Sequence, residues 1–191
     1  MSELPVLPSF RRWMSVVSGI ARAVNAAQPL DALLTGVDEQ ACTLLGFDYC
    51  AVMLADAARE RVTVAGSSGL TPEYIALVSD EGSLFIHPPG SELDTPAARA
   101  FRESRTIAVP EVRAARLYGR LQLLAPKLGY RSLVASPLRV VDEVTGLLVG
   151  YRESPHEFDE AEIELVELLA EQTAIAVQAA RLRAEQQAVI G

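Results

Sequence analysis

Residues 159–187 read DEAEIELVELLAEQTAIAVQAARLRAEQQ, and no other stretch restricts the fold as strongly. Asp159 suits an N-cap, with Glu162 three residues on as in a capping box. On a helix, Glu160, Glu164, Glu167 and Glu171 make one narrow strip, and almost all the remaining circumference is apolar. Ile163, Val166, Ala170, Ala174 and Val177 lie on one side; Leu165, Leu168, Leu169, Ala176 and Ala179 lie on another. A helix covering a single layer needs one apolar stripe. This one has enough for two neighbours, which we assign to the chain's own sheet and to helices of a second subunit. The simpler alternative is burial within one chain, between the sheet and an N-terminal helix.

Upstream, Phe10, Trp13, Met14, Val17, Ile20, Ala21 and Val24 recur at steps of three and four, giving an amphipathic helix over 10–26. A second helix covers 30–45, with Pro29 in its first turn and Gly46 as its stop. The period then changes. YCAVMLA (49–55) and RVTVAGS (61–67) read as strands, 69–79 as a short helix, and 80–94 as irregular. Residues 95–105 read as a helix capped by Thr95 with Pro96 at its first position, TIAVP as a brief strand, and 111–128 as helix or loop. The segment GYRSLVASPLRVVDEVTGLLVGY forms a hairpin with strands near 131–140 and 144–152. Hairpin-linked strands imply an antiparallel sheet with helices gathered on one side, an α+β fold.

The chain has 191 residues, half of them apolar, which is enough for a substantial core. No apolar run reaches the roughly 20 residues that cross a bilayer, and the first residues lack the pattern of a secretory leader. A cytoplasmic protein without membrane contact is therefore expected. The net charge of −8 opposes binding of nucleic acid by phosphate contact. Residues 99–131 depart from it locally, with seven arginines and Lys127 against Glu103 and Glu111, a balance of +6. Sixteen of the seventeen basic residues are arginine and alanine is abundant, a composition typical of GC-rich bacterial genomes.

Catalytic signatures are missing. No phosphate-binding glycine loop, HExxH helix or G-x-S-x-G turn is present. His87 and His156 stand apart without a second metal ligand at useful spacing, and no metal or cofactor is expected. Cys42 and Cys50 read as reduced core thiols; a redox role requires a lowered thiol pKa.

Several of these pieces, taken in order, resemble a GAF domain over residues 30–180. LDALLTGVDEQACTLLGFDYCAVMLAD resembles the family's opening helix and strand, SSGLTPEY the turn and helix after its second strand, and TPAARAFRESRTIAVPEV its short helix and next strand. The hairpin and HEFDEAEIELVELLAEQTAIAVQAARL resemble its signature hairpin and closing helix. The resemblance implies a six-stranded antiparallel sheet, N- and C-terminal helices on one face, and a covered small-molecule pocket on the other. It also implies a homodimer through the terminal helices and control of an attached output domain. The cyclic-nucleotide, chromophore, haem and sulfoxide-reductase variants of the family lack their motifs here.

The expected organisation is a dimerisation helix (1–28), a GAF domain (29–180) and the start of a linker helix (181–191) to an output domain, either a DNA-binding transcriptional regulator or a sensor kinase. Tyr49 or Met53, with Ser132, Val134 and Ser136, is expected to floor the pocket. Tyr74, Phe85, Leu117, Tyr118, Leu121 and Tyr130 are expected to cover it. If one or two arginines of the basic stretch, Arg120 first, point inward, the ligand is anionic. Otherwise the stretch is a solvated basic face, or one that docks a partner's acidic helix. The competing function is a structural dimerisation module whose pocket is filled by its own side chains, with LFIHPPG as a plug.

Overall fold

A computed structural model describes residues 6–80, 86, 95–115 and 129–190. The chain order is α1 (Val6–Asn25), α2 (Leu30–Leu45), β1 (Tyr49–Ala55), β2 (Val62–Ser68), α3 (Pro72–Asp80), α4 (Pro96–Glu103), β3 (Ile107–Val109), β4 (Ser132–Val140), β5 (Glu143–Arg152) and α5 (Glu160–Ile190). The strands form one sheet in the order β2-β1-β5-β4-β3, antiparallel at every pair. The described residues thus contain five strands, the number read from the residues, and not the six implied by the family resemblance.

Local chemistry sets the element ends. Gly46 stops α2 in the left-handed conformation at φ 66°, which costs glycine nothing. Pro29 sits at the cap position, one residue before the helix rather than inside its first turn. The Thr95 hydroxyl accepts from the Ala98 N–H at 3.0 Å and opens α4. The capping box of α5 is complete: Glu162 N–H donates to Asp159 Oδ1 at 2.8 Å, and Asp159 N–H donates to Glu162 Oε2 at 3.1 Å. Val141, 90 % exposed at the tip of the β4–β5 hairpin, has φ 58°, an uncommon conformation for a β-branched residue.

The sheet is buried on both faces. On one, Cys50, Val52, Leu54, Val134, Leu138 and Leu148 meet Leu34, Val37 and Ala41 of α2 and Val166, Leu169, Ala170, Ala174 and Val177 of α5. Burying one leucine or valine contributes about 1.5–3 kcal/mol, so this layer is a main source of stability. Gly66 lets α2 approach β2 very closely: a Cβ there would lie 2.6 Å from Leu34 Cβ and 2.8 Å from the Leu34 carbonyl carbon. Gly150 similarly admits the Phe47 ring, which a Cβ would meet at 2.4 Å.

One polar cluster locks the start of α5 to the sheet and to α2. Arg152 donates to Leu45 O at 2.7 Å and to Glu162 Oε1 at 3.1 Å. Its guanidinium lies 5.8 Å and 6.0 Å from the Phe47 and Phe158 ring centroids. His156 Nε2 is 2.8 Å from both Glu162 carboxylate oxygens. At the other end, Arg183 donates to Val24 O at the close of α1. These contacts fix directions: α2 runs against α5, and α1 runs alongside it.

The two apolar flanks of α5 are used partly within the chain. Leu169 and Ala176, from the flank that also carries Leu165, Leu168 and Ala179, are buried in the chain's own helix-side core, which includes Val16 and Ile20 of α1. Leu168 of the same flank stays 41 % exposed.

Glu162 serves the cap, Arg152 and His156 at once, so Glu162→Ala is expected to destabilise the fold by about 2 kcal/mol. Urea unfolding midpoints of the two proteins measure this.

Candidate functional site

The face of the sheet away from α5 is a second layer with its own chemistry. Ala51 and Met53 of β1, Leu133 and Ala135 of β4, and Leu147, Val149 and Tyr151 of β5 form its floor, all buried. Ala100 and Phe101 of α4, Tyr74 of α3, Val112 and Tyr130 cover it. Among the described residues, its buried polar groups are three phenols. The Tyr130 and Tyr151 rings lie 4.9 Å apart between centroids, tilted by 54°. Both hydroxyls are in hydrogen-bond contact with that of Tyr74.

Burial is the main reason all three phenols resist ionisation, Tyr130 and Tyr151 most strongly. For Tyr74 the bonds from Tyr151 and Tyr130 partly offset burial. The cluster is therefore a neutral hydrogen-bonding node. Such a lining suits a small guest that is mostly apolar with a few oriented polar groups.

The structure brings together only part of the site expected from sequence. Tyr74, Tyr130 and Met53 meet in this layer. Tyr49 lies at its margin and donates to Glu153; that bond first, then burial, pushes the phenol up to about 12. Ser132, Val134 and Ser136 are on the other face. Val134 sits in the helix-side core, Ser132 donates to Ser154 O at 2.9 Å, and Ser136 Oγ is 3.1 Å from Thr106 Oγ1, which donates to Glu167 of α5 at 2.7 Å. β4 is buried continuously from Ser132 to Leu138, so no polar–apolar alternation reveals which residues face which way. On this face β4 presents Leu133 and Ala135, one position out of phase with that reading. Phe85, Leu117, Tyr118, Arg120 and Leu121 lie outside the described residues.

Much of the basic stretch is paired locally. Arg99 is 3.6 Å and Arg105 2.6 Å from Glu103, and Arg131 pairs with Glu111. Donation from Arg113 N–H and the nearby Arg131 hold the Glu111 carboxyl below its usual range. These pairs match the solvated-face reading for the arginines involved.

Two residues escaped the sequence reading. Tyr151 was visible as the residue opposite Leu133 once the hairpin register is known. Asp38 was legible as an acid on the apolar stripe of α2, between Val37 and Ala41. It is fully buried against β1, where Oδ2 accepts from Val52 N–H at 3.3 Å, beside the bulge between Val52 and Met53.

The comparisons with known proteins agree with this architecture. The GAF-domain family model matches residues 29–177, so the chain belongs to the GAF-domain family. Its members are sensory regulatory modules of signalling proteins. Among solved structures it is similar to the GAF domain of a phosphoenolpyruvate-protein phosphotransferase from Coxiella burnetii, at 21 % identity and TM-score 0.70, covering 92 % of this chain and 98 % of that one. The corresponding Acinetobacter domain gives 18 % identity and TM-score 0.70, covering 91 % and 97 %. A domain of a putative two-component sensor histidine kinase from Sinorhizobium meliloti gives 19 % identity and TM-score 0.67, covering 84 % and 98 %. At such identities the likeness is one of fold. No curated protein matches the sequence. Among the described residues no helix is long and apolar enough to cross a membrane.

Burial pushes the Asp38 carboxyl up to about 7, against partial relief from Cys50 and Val52 N–H. Its unfolded value is about 4. The folded state therefore binds the proton more tightly, and that stabilisation is full below pH of about 4 and lost as pH rises through about 7. Urea midpoints across this range should fall for the wild type relative to Asp38→Asn, which has no carboxyl to ionise there.

Proposed function

We propose that the chain is a non-catalytic, small-molecule-sensing regulatory domain that acts on an attached output domain through a homodimer of its terminal helices. The observation that supports this is the double role of α5. One side covers the sheet, while Leu168, Ile175, Leu182 and Val189, spaced by seven, are 41, 59, 52 and 87 % exposed. A heptad line of apolar residues is the seam of a coiled coil. Phe10 and Met14, 55 and 46 % exposed on the neighbouring α1, extend the apolar area.

A guest held over Ala51 and Ala135 reaches α5 through the sheet. It shifts the balance between two helix arrangements by no more than its differential affinity for them, about 1–3 kcal/mol. The ligand we propose is small and apolar in body, with an acceptor, a carboxylate in the anionic case, aimed at the Tyr74 O–H. The output is a DNA-binding transcriptional regulator or a sensor kinase; the likeness to the Sinorhizobium meliloti domain supports the second.

A structural dimerisation module is the second reading. The observation that favours it is that the three phenols bond to one another and close the cover-side layer on themselves.

A thermal-shift panel of small carboxylates and aromatic metabolites separates the two. A ligand at 100 times its Kd should add about 2.7 kcal/mol to the wild type, and Tyr74→Phe should remove most of that gain. A panel without any shift favours the structural module. Independently, Ile175→Asp should leave the helical signal in circular dichroism intact and weaken dimerisation roughly thirtyfold, as expected for an interface anchor worth ~2 kcal/mol. Sedimentation equilibrium measures this, and an unchanged association constant removes the proposed seam.

A further inference from the structure

Behind the sheet, away from the phenols, a line of four polar side chains crosses from α2 to the outer strands. Asp38 and Cys42 lie one turn apart on α2, Cys50 opens β1 beneath them, and Ser68 is the cross-strand partner of Cys50 on β2. Asp38 Oδ2 accepts from Val52 N–H at 3.3 Å, so Cys42, one turn further along α2, lies over the fully buried Cys50, two residues back along β1. Cys42 packs against the same core layer that holds Cys50. Cys42 itself is only partly buried. Asp38 Oδ1 has no hydrogen-bond partner among the described residues, an unusual state for a fully buried carboxyl oxygen. A merely structural pair of core thiols needs neither the buried acid nor the serine.

We propose that Cys42 and Cys50 form a peroxide-oxidisable dithiol that closes to an intramolecular disulfide, joining α2 to β1, with Asp38 as the proton acceptor for Cys50. The two thiols differ in the sense this requires. Donation from Cys50 is the first cause that lowers the Cys42 thiol, with Ser68 adding to it, against burial and the Asp48 and Glu39 charges. Burial holds the Cys50 thiol well above its ordinary value, so Cys50 is protonated until a base takes its proton.

The oxidant is a hydroperoxide. The Cys42 thiolate attacks one peroxide oxygen: an S–O bond forms, the O–O bond breaks, and the departing oxygen leaves as water or alcohol after taking up a proton. The sulfur is oxidised to sulfenic acid by two electrons and the peroxide is reduced by two. Cys50 then gives its proton to Asp38, and its sulfur attacks that of Cys42. An S–S bond forms, the S–O bond breaks, and hydroxide leaves as water with the proton that Asp38 returns. Closure brings the two sulfurs to about 2.05 Å.

The test treats the full chain with hydrogen peroxide and measures intact mass and free thiols. The expected product is a monomer two mass units lighter with both thiols lost, restored by dithiothreitol. Cys50→Ser should stop at a Cys42 sulfenic acid trapped by dimedone, while Cys42→Ser should leave Cys50 unreactive. Asp38→Asn should slow closure roughly a hundredfold, the lower end of what a positioned base contributes. Two free thiols after treatment, a disulfide only between chains, or Cys42 oxidised with Cys50 untouched in the wild type overturns the proposal. Closure in Asp38→Asn as fast as in the wild type overturns the relay. None of these readouts depends on a bound ligand or an output domain.

Discussion

A sheet with both faces buried needs two separate covers, and here one cover is continuous while the other is assembled from pieces. The continuous one is α5, 31 residues or about 46 Å of helix, lying on β4 and β5. Val166, Ala170, Ala174 and Val177 fit against Val134, Leu138 and Leu148, and α1 and α2 close the sides. The other elements are arranged around that contact. The Arg152–Glu162–His156 cluster fixes where α5 begins, and Arg183 holds the end of α1 beside it.

The two layers contain different kinds of polar group. Toward the helices, Ser132 and Thr173 are tied to backbone carbonyls, the Thr173 hydroxyl donating to Leu169 O at 2.7 Å. Such bonds position elements. On the opposite layer the polar atoms are phenols bonded to one another, on separate elements: α3, the segment before β4, and β5. A hydroxyl bonded to another hydroxyl can exchange that partner for a guest at small cost, because one neutral hydrogen bond replaces another.

Much of this was legible in the residues, because local chemistry decided it. The bounds of α2, the Thr95 cap and the Asp159–Glu162 box follow from short-range hydrogen bonding that side chains encode directly. The hairpin turn and strand count follow from turn residues and period. The phase of β4 was not legible, since a strand buried on both faces carries no alternation. A clue lay on β5, where Gly146, Leu148 and Gly150 share one face: glycines occur where another element approaches closely, and Phe47 sits over Gly150. The division of α5 between its own chain and a partner was hidden for another reason. Apolar character at Leu169 and Ala176 says that something covers them, not whether it is α1 or a second copy.

The absence of a side chain at Gly66 makes α2 and the sheet mechanically one object. With the Leu34 backbone so near, there is no layer of rotatable side chains there to act as a bearing, and interiors this dense transmit displacement instead of absorbing it. Sliding of α2 over β2 would require the strand itself to deform. Any rearrangement of the helical layer is then a tilt of α5 against a stiff plate, a lever pivoting near Arg152 with its far arm exposed at Val189.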